Sequence, residues 1–94
     1  MISQAEKNKI LEVLTPYKPE RVGIFGSYSR GENNKYSDLD ILVAFGKTVN
    51  LLELIGIEIE LTEALGIKVD LITERALNSK LKPYIEKDLK IIME

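Results

Sequence analysis

Ser37-Asp38-Leu39-Asp40-Ile41-Leu42-Val43-Ala44-Phe45 is the stretch on which the fold turns. From Leu39 onward it is rich in branched residues and predicts a buried strand, yet it opens with two acids. Successive strand side chains alternate faces, so Asp38 and Asp40 point one way while Leu39 and Ile41 point the other. Parallel carboxylates repel unless one takes a proton or a cation sits between them. Hard oxygen ligands of this kind suit Mg²⁺, which takes one or two carboxylates plus substrate phosphates.

Upstream, Arg21-Val22-Gly23-Ile24-Phe25-Gly26-Ser27 is a short apolar run closed by Gly-Ser, which reads as a strand ending in a tight turn. A polar stretch from Tyr28 to Ser37 joins the two strands without an obvious crossover helix. Before them, Ser3-Gln4-Ala5-Glu6 has the form of a capping box, and Ile10, Val13 and Leu14 follow at helical spacing. Pro16 and Pro19 forbid continuation, so a first helix is predicted over roughly residues 3–15.

Downstream, Gly46-Lys47-Thr48 reads as a loop and Asn50, with Glu53, as the cap of a helix over Leu51 to Leu65. The alternation Ile55-Gly56-Ile57-Glu58-Ile59-Glu60-Leu61 also fits a strand; segment length and Gly66 at the end favour helix. Lys68-Val69-Asp70-Leu71-Ile72-Thr73 is the third strand, with Asp70 facing away from Val69 and Leu71. A short helix at Pro83 and a last edge strand over Leu89 to Met93 complete the chain. The fold class is α/β (α+β): one domain over residues 1–94, a small mixed sheet with helices on one face.

Ninety-four residues allow one core, burying roughly 60–65% of the unfolded surface. With no His and no Cys there is no Ser-His-Asp or Cys-His nucleophile, zinc finger, iron–sulfur ligation or disulfide. Carboxylates, hydroxyls, backbone amides and borrowed cofactors must carry any chemistry. Thirteen basic against fifteen acidic residues give a net charge of −2, which is no footprint for non-specific nucleic-acid binding. No apolar run reaches the ~18–20 residues needed to span a bilayer, and no secretory signal is visible, so a cytoplasmic protein is expected.

Each site feature has an ordinary reading. Asp38-x-Asp40 fits a solvated strand end, Asp70 an edge residue paired with Lys68, Gly26-Ser27 a common turn, and Arg30 a surface charge. Together they gain a mechanism. Asp70 on a neighbouring strand would bring three carboxylates together, a site for two divalent cations. Gly26 would let the backbone approach a polyphosphate, whose oxygens helix-start amides and the Ser27 hydroxyl can hold. Arg30 could pair with phosphate as a planar fork, with Lys35 and Lys68 as competing candidates.

Gly26-Ser27-Tyr28-Ser29-Arg30-Gly31-Glu32 followed by Ser37-Asp38-Leu39-Asp40-Ile41-Leu42-Val43 resembles the signature of the minimal nucleotidyltransferases, the smallest members of the polymerase-beta-type superfamily. The resemblance implies a palm-like nucleotidyltransferase fold, with Asp38, Asp40 and Asp70 binding two Mg²⁺ ions and Gly26 and Ser27 holding the triphosphate of ATP. Arg30 matches the family's Arg-Gly element. Such proteins resemble antitoxins that transfer AMP to a tyrosine of a HEPN-type ribonuclease toxin, so the resemblance implies that toxin as partner. Neutralisation by occlusion without catalysis, or transfer to a small molecule, are the other readings. A homo-oligomer and a hetero-oligomer with the toxin both fit. The middle helix carries two apolar stripes, Leu54/Ile57/Leu61/Leu65 and Leu52/Ile55/Ile59. That excess predicts either an interface or a fully buried helix.

Overall fold

The computed structural model describes residues 2–94. Its elements are α1 (Gln4–Leu14), β1 (Pro19–Phe25), α2 (Ser27–Arg30), β2 (Leu39–Phe45), α3 (Leu51–Leu65), β3 (Val69–Thr73), α4 (Lys82–Asp88) and β4 (Lys90–Met93). Single 3₁₀ turns lie at Thr15–Tyr17 and Glu74–Ala76.

Local chemistry sets the helix ends. The Ser3 hydroxyl accepts from Glu6 N at 3.1 Å while Glu6 Oε1 accepts from Ser3 N at 2.9 Å, the reciprocal box the sequence predicts. Asn50 and Glu53 repeat it at the start of α3, and Gly66 closes that helix at φ 68°. Helix is therefore the correct reading of the alternating Ile55–Leu61 segment. Pro16 does not simply stop α1: it opens the 3₁₀ turn that follows.

The four strands lie in the order β3-β2-β1-β4. β1 runs antiparallel to β2 and to β4, and β2 runs parallel to β3, with α3 as the crossover between them. Leu39, Ile41 and Val43 of β2 are completely buried, as are Ile10 and Leu14 of α1 and Leu61 of α3; Ile57 is nearly so. With Val22, Ile24, Val69 and Leu71 they form one core between the sheet and the two long helices. Tyr17 Oη donates to Glu60 Oε1 at 2.6 Å and ties the turn after α1 to α3.

The opposite face is thinly covered. A Cβ on Gly23 would meet Leu89 Cδ1 at 2.5 Å, so Leu89 lies directly on β1 there. Lys82 and Glu86 of α4 line a cavity with Leu42 beside it. The alternation that buries Leu39 and Ile41 leaves Asp40 and Asp70 on this open side.

Two parts of the sequence reading change. The polar stretch after Ser27 begins with the one-turn helix α2, and the second stripe of α3 is not buried. Leu52 is 80% exposed and Ile59 53%, which removes the fully buried helix as an explanation.

Candidate active site

Asp40 is the second residue of β2 and Asp70 the second of β3, and parallel pairing places them directly opposite each other. On the other flank of Asp40 stands Phe25, the last residue of β1. Three strands thus set one level of the sheet, with two acids side by side. Asp38 sits just before β2, and its Oδ2 lies 3.7 Å from Lys68 Nζ. Lys68 therefore pairs with Asp38, not with Asp70 as the ordinary reading of Asp70 would have it.

The consequence is electrostatic. The Asp40 carboxyl is pushed up to about 6, first because burial penalises its charge, then because Asp70 and Asp38 repel it, with Arg30 acting weakly in the other direction. Asp38, Asp40 and Asp70 are thus neighbours in potential. Among the described residues, however, no three His, Cys, Asp or Glu side chains form a ready-made metal cage. The expected convergence of three acids reduces, in this structure, to the facing pair Asp40–Asp70 with Asp38 beside it. The donor set still fits a hard divalent cation: all ligand atoms are carboxylate oxygens, and Mg²⁺ needs only one or two of them when phosphates complete its shell.

Gly26 closes the site from β1. Its φ of +73° and ψ of −154° lie in a region essentially restricted to glycine. A Cβ there would collide with the Asp40 carboxylate. Both facts require glycine, and both bring the backbone up against Asp40. Ser27 then opens α2; the amides of Ser29 and Arg30 donate to Gly26 O at 3.1 Å each. The amides at the very start of such a turn have no partner within it, the arrangement that suits anion oxygens.

Arg30 stands differently from the sequence expectation. Its Nε donates to Glu32 Oε1 and its Nη1 to Asp88 Oδ2, each at 2.6 Å. The buried Ser29 hydroxyl donates to the Asp88 carbonyl. Asp88 thus anchors the α2 turn through two neighbours at once. Sequence reasoning missed it, because nothing local links it to residues 58 or more positions away. Lys35 lies 5.0 Å from the centroid of the Tyr36 ring. A cavity of about 670 Å³ lies elsewhere: Val43, Phe45, Lys47 and Arg75 line it near the opposite ends of β2 and β3.

Known proteins resemble this chain in sequence and in overall fold. The nucleotidyltransferase domain model matches residues 6–93. The chain belongs to the nucleotidyltransferase domain family. A Methanocaldococcus jannaschii protein, MJ0435, which carries the provisional name of protein adenylyltransferase, is 43% identical over 79 residues, covering 84% of this nucleotidyltransferase and 85% of that relative. The protein adenylyltransferase MntA of Thermococcus cleftensis is 36% identical over 89 residues, covering 86% and 90% of the two chains. A solved toxin–antitoxin structure with AMP-PNP superposes with a TM-score of 0.83 at 30% identity, over 90% of this nucleotidyltransferase and 70% of that chain. A complex of a tri-AMPylated Shewanella oneidensis HEPN toxin with its MNT antitoxin gives 0.78 at 27% identity, over 96% and 71%. Among the described residues no helix of this nucleotidyltransferase is long and apolar enough to cross a membrane.

Proposed function

We propose that this nucleotidyltransferase is an Mg²⁺-dependent protein adenylyltransferase that silences a HEPN-type ribonuclease toxin by transferring AMP from ATP to a tyrosine hydroxyl. The observation that carries the reading is the facing pair Asp40–Asp70 with glycine backbone packed on Asp40. The relatives named above support the choice of AMP and of a protein acceptor.

Asp40 and Asp70, with Asp38, would hold the divalent cations, which when bound supply charge compensation for the phosphates and acidify the attacking hydroxyl. Gly26, Ser27 and the start of α2 receive the triphosphate. Arg30, tied to Glu32 and Asp88, keeps that turn in place against α4. In the transfer, a bond forms between the tyrosine oxygen and the α-phosphorus, and the bond from that phosphorus to the bridging oxygen of pyrophosphate breaks. The tyrosine proton passes to a carboxylate, a role given in this reading to Asp70; its exposure on the outer strand supports that choice.

Occlusion without catalysis is the competing reading, and one variant separates the two. Asp38→Asn with Asp40→Asn keeps both side-chain shapes while removing two charges. Intact-mass measurement of wild-type protein with toxin, ATP and Mg²⁺ should show AMP adducts on the toxin; the double variant should show none. The variant should also fail to protect cells from the toxin while still binding it. Protection that survives in the variant would establish occlusion instead.

A further inference from the structure

Among the described residues β3 is an outer strand, paired in the sheet with β2 alone. Leu39 N donates to Lys68 O at 2.8 Å, and backbone alternation from that point turns the amides of Val69 and Leu71 away from β2. Those two amides flank Asp70. At an outer edge, water would satisfy them. Here α3 does so instead: Thr62 Oγ1 accepts from Val69 N at 3.0 Å, and Glu58 Oε2 accepts from Leu71 N at 2.8 Å. Glu58 and Thr62 are four residues apart, one above the other on the helix. Both are half-buried.

The two acceptors are unlike in kind and alike in effect. A carboxylate accepting a backbone amide makes a charge-assisted bond, stronger than a neutral one. It is placed where a fifth strand would otherwise lie, and it closes an edge that could pair with another chain. Water could match the hydrogen bonds but not the distance. Side chains rooted in a capped helix fix how far β3 stands from α3, and therefore how Asp70 is presented across from Asp40.

We infer that Glu58 and Thr62 are positioning residues, which hold the amides on either side of Asp70 and so fix the register of Asp70 against Asp40. The inference rests on reading Asp40 and Asp70 as the cation-holding pair. Neither residue touches the reacting atoms; both act through β3. Their loss should loosen cation binding in the absence of nucleotide, as the loss of groups supporting metal ligands does.

The test uses ¹⁵N-labelled full-length protein, with Mg²⁺ alone as the probe. Amide exchange at Val69 and Leu71 and the Mg²⁺ dissociation constant are read in Glu58→Ala, Thr62→Val, Glu58→Gln and Thr62→Ser. In the first two, exchange at the released amide should accelerate roughly tenfold, the order of one hydrogen bond. Their Mg²⁺ dissociation constants should rise about 10–100-fold. Glu58→Gln and Thr62→Ser retain an acceptor oxygen and should stay within about threefold of wild type on both measures. Thr62→Val, nearly isosteric, keeps the test open if Glu58→Ala does not fold. Faster exchange with unchanged Mg²⁺ affinity would overturn the inference, since the helix would then only cap an edge. Unchanged exchange would overturn it as well. Wild-type protein that bound no Mg²⁺ would instead overturn the nucleotidyl-transfer reading of the acids, and this inference with it.

Discussion

Asp40 is buried enough, and close enough to Asp70 and Asp38, that its carboxyl titrates at about 6 instead of near 3.8. The sign of the effect on stability follows from linkage. Between those two values the folded chain keeps a proton that the unfolded chain has lost, so stability falls as pH rises through the window. Above about 6 the loss is complete, and below the unfolded value it is absent. Metal-free protein in EDTA should therefore lose thermal stability between pH 4.5 and 7 relative to Asp40→Asn, which has no proton to lose. Added Mg²⁺ should raise the wild-type Tm more at pH 7 than at pH 5, because the cation needs the deprotonated acid. Thermal melts at the two pH values, with and without Mg²⁺, check both. A wild-type melt that tracks Asp40→Asn at every pH would show that neither burial nor the neighbouring Asp70 and Asp38 raises the Asp40 carboxyl.

Elements differ in how much of them can be read from sequence, and α3 marks one extreme. Its cap, its length and its closing glycine are all local, and each stands where the residues predict. Asn50→Ala removes the acceptor for Glu53 N, a bond of 2.8 Å, and should cost about 1 kcal/mol. In a domain of this size that is a Tm fall of about 4–8 °C, measurable by calorimetry. At the other extreme is α2. Four residues cannot show a helical period, and what holds them is Asp88, far along the chain. The nearness of Asp40 and Asp70 was legible only on the condition that their strands are neighbours; that they stand directly opposite each other is set by the β2–β3 register. That Lys68 would reach Asp38, and that α3 would serve the amides beside Asp70, depended on register between strands and helix. Register is a property of the packed sheet, which one strand's pattern does not contain.

The molecule as a whole separates Asp40 and Asp70 from the exposed apolar residues of α3. Asp40 and Asp70 lie on the sheet face away from the two long helices, while Leu52 and Ile59 lie on the solvent side of α3. On the proposed function, an acceptor hydroxyl would reach the acids from the thinly covered face, past Gly26 and the α2 turn. It does not need to touch the outer side of α3. Replacing Leu52 and Ile59 together by Glu should accordingly leave the isolated chain folded, since exposed positions of this kind shift stability by only about 0.5 kcal/mol each. AMP transfer to the toxin should stay within about threefold of wild type, because a change of 1.4 kcal/mol is needed for a tenfold loss. Initial rates of AMP incorporation, measured beside a melting curve for the same preparation, decide the matter. If the rate collapses while the melt is unchanged, the toxin docks across α3, and the acids must be reached by an acceptor that wraps around the β3 edge.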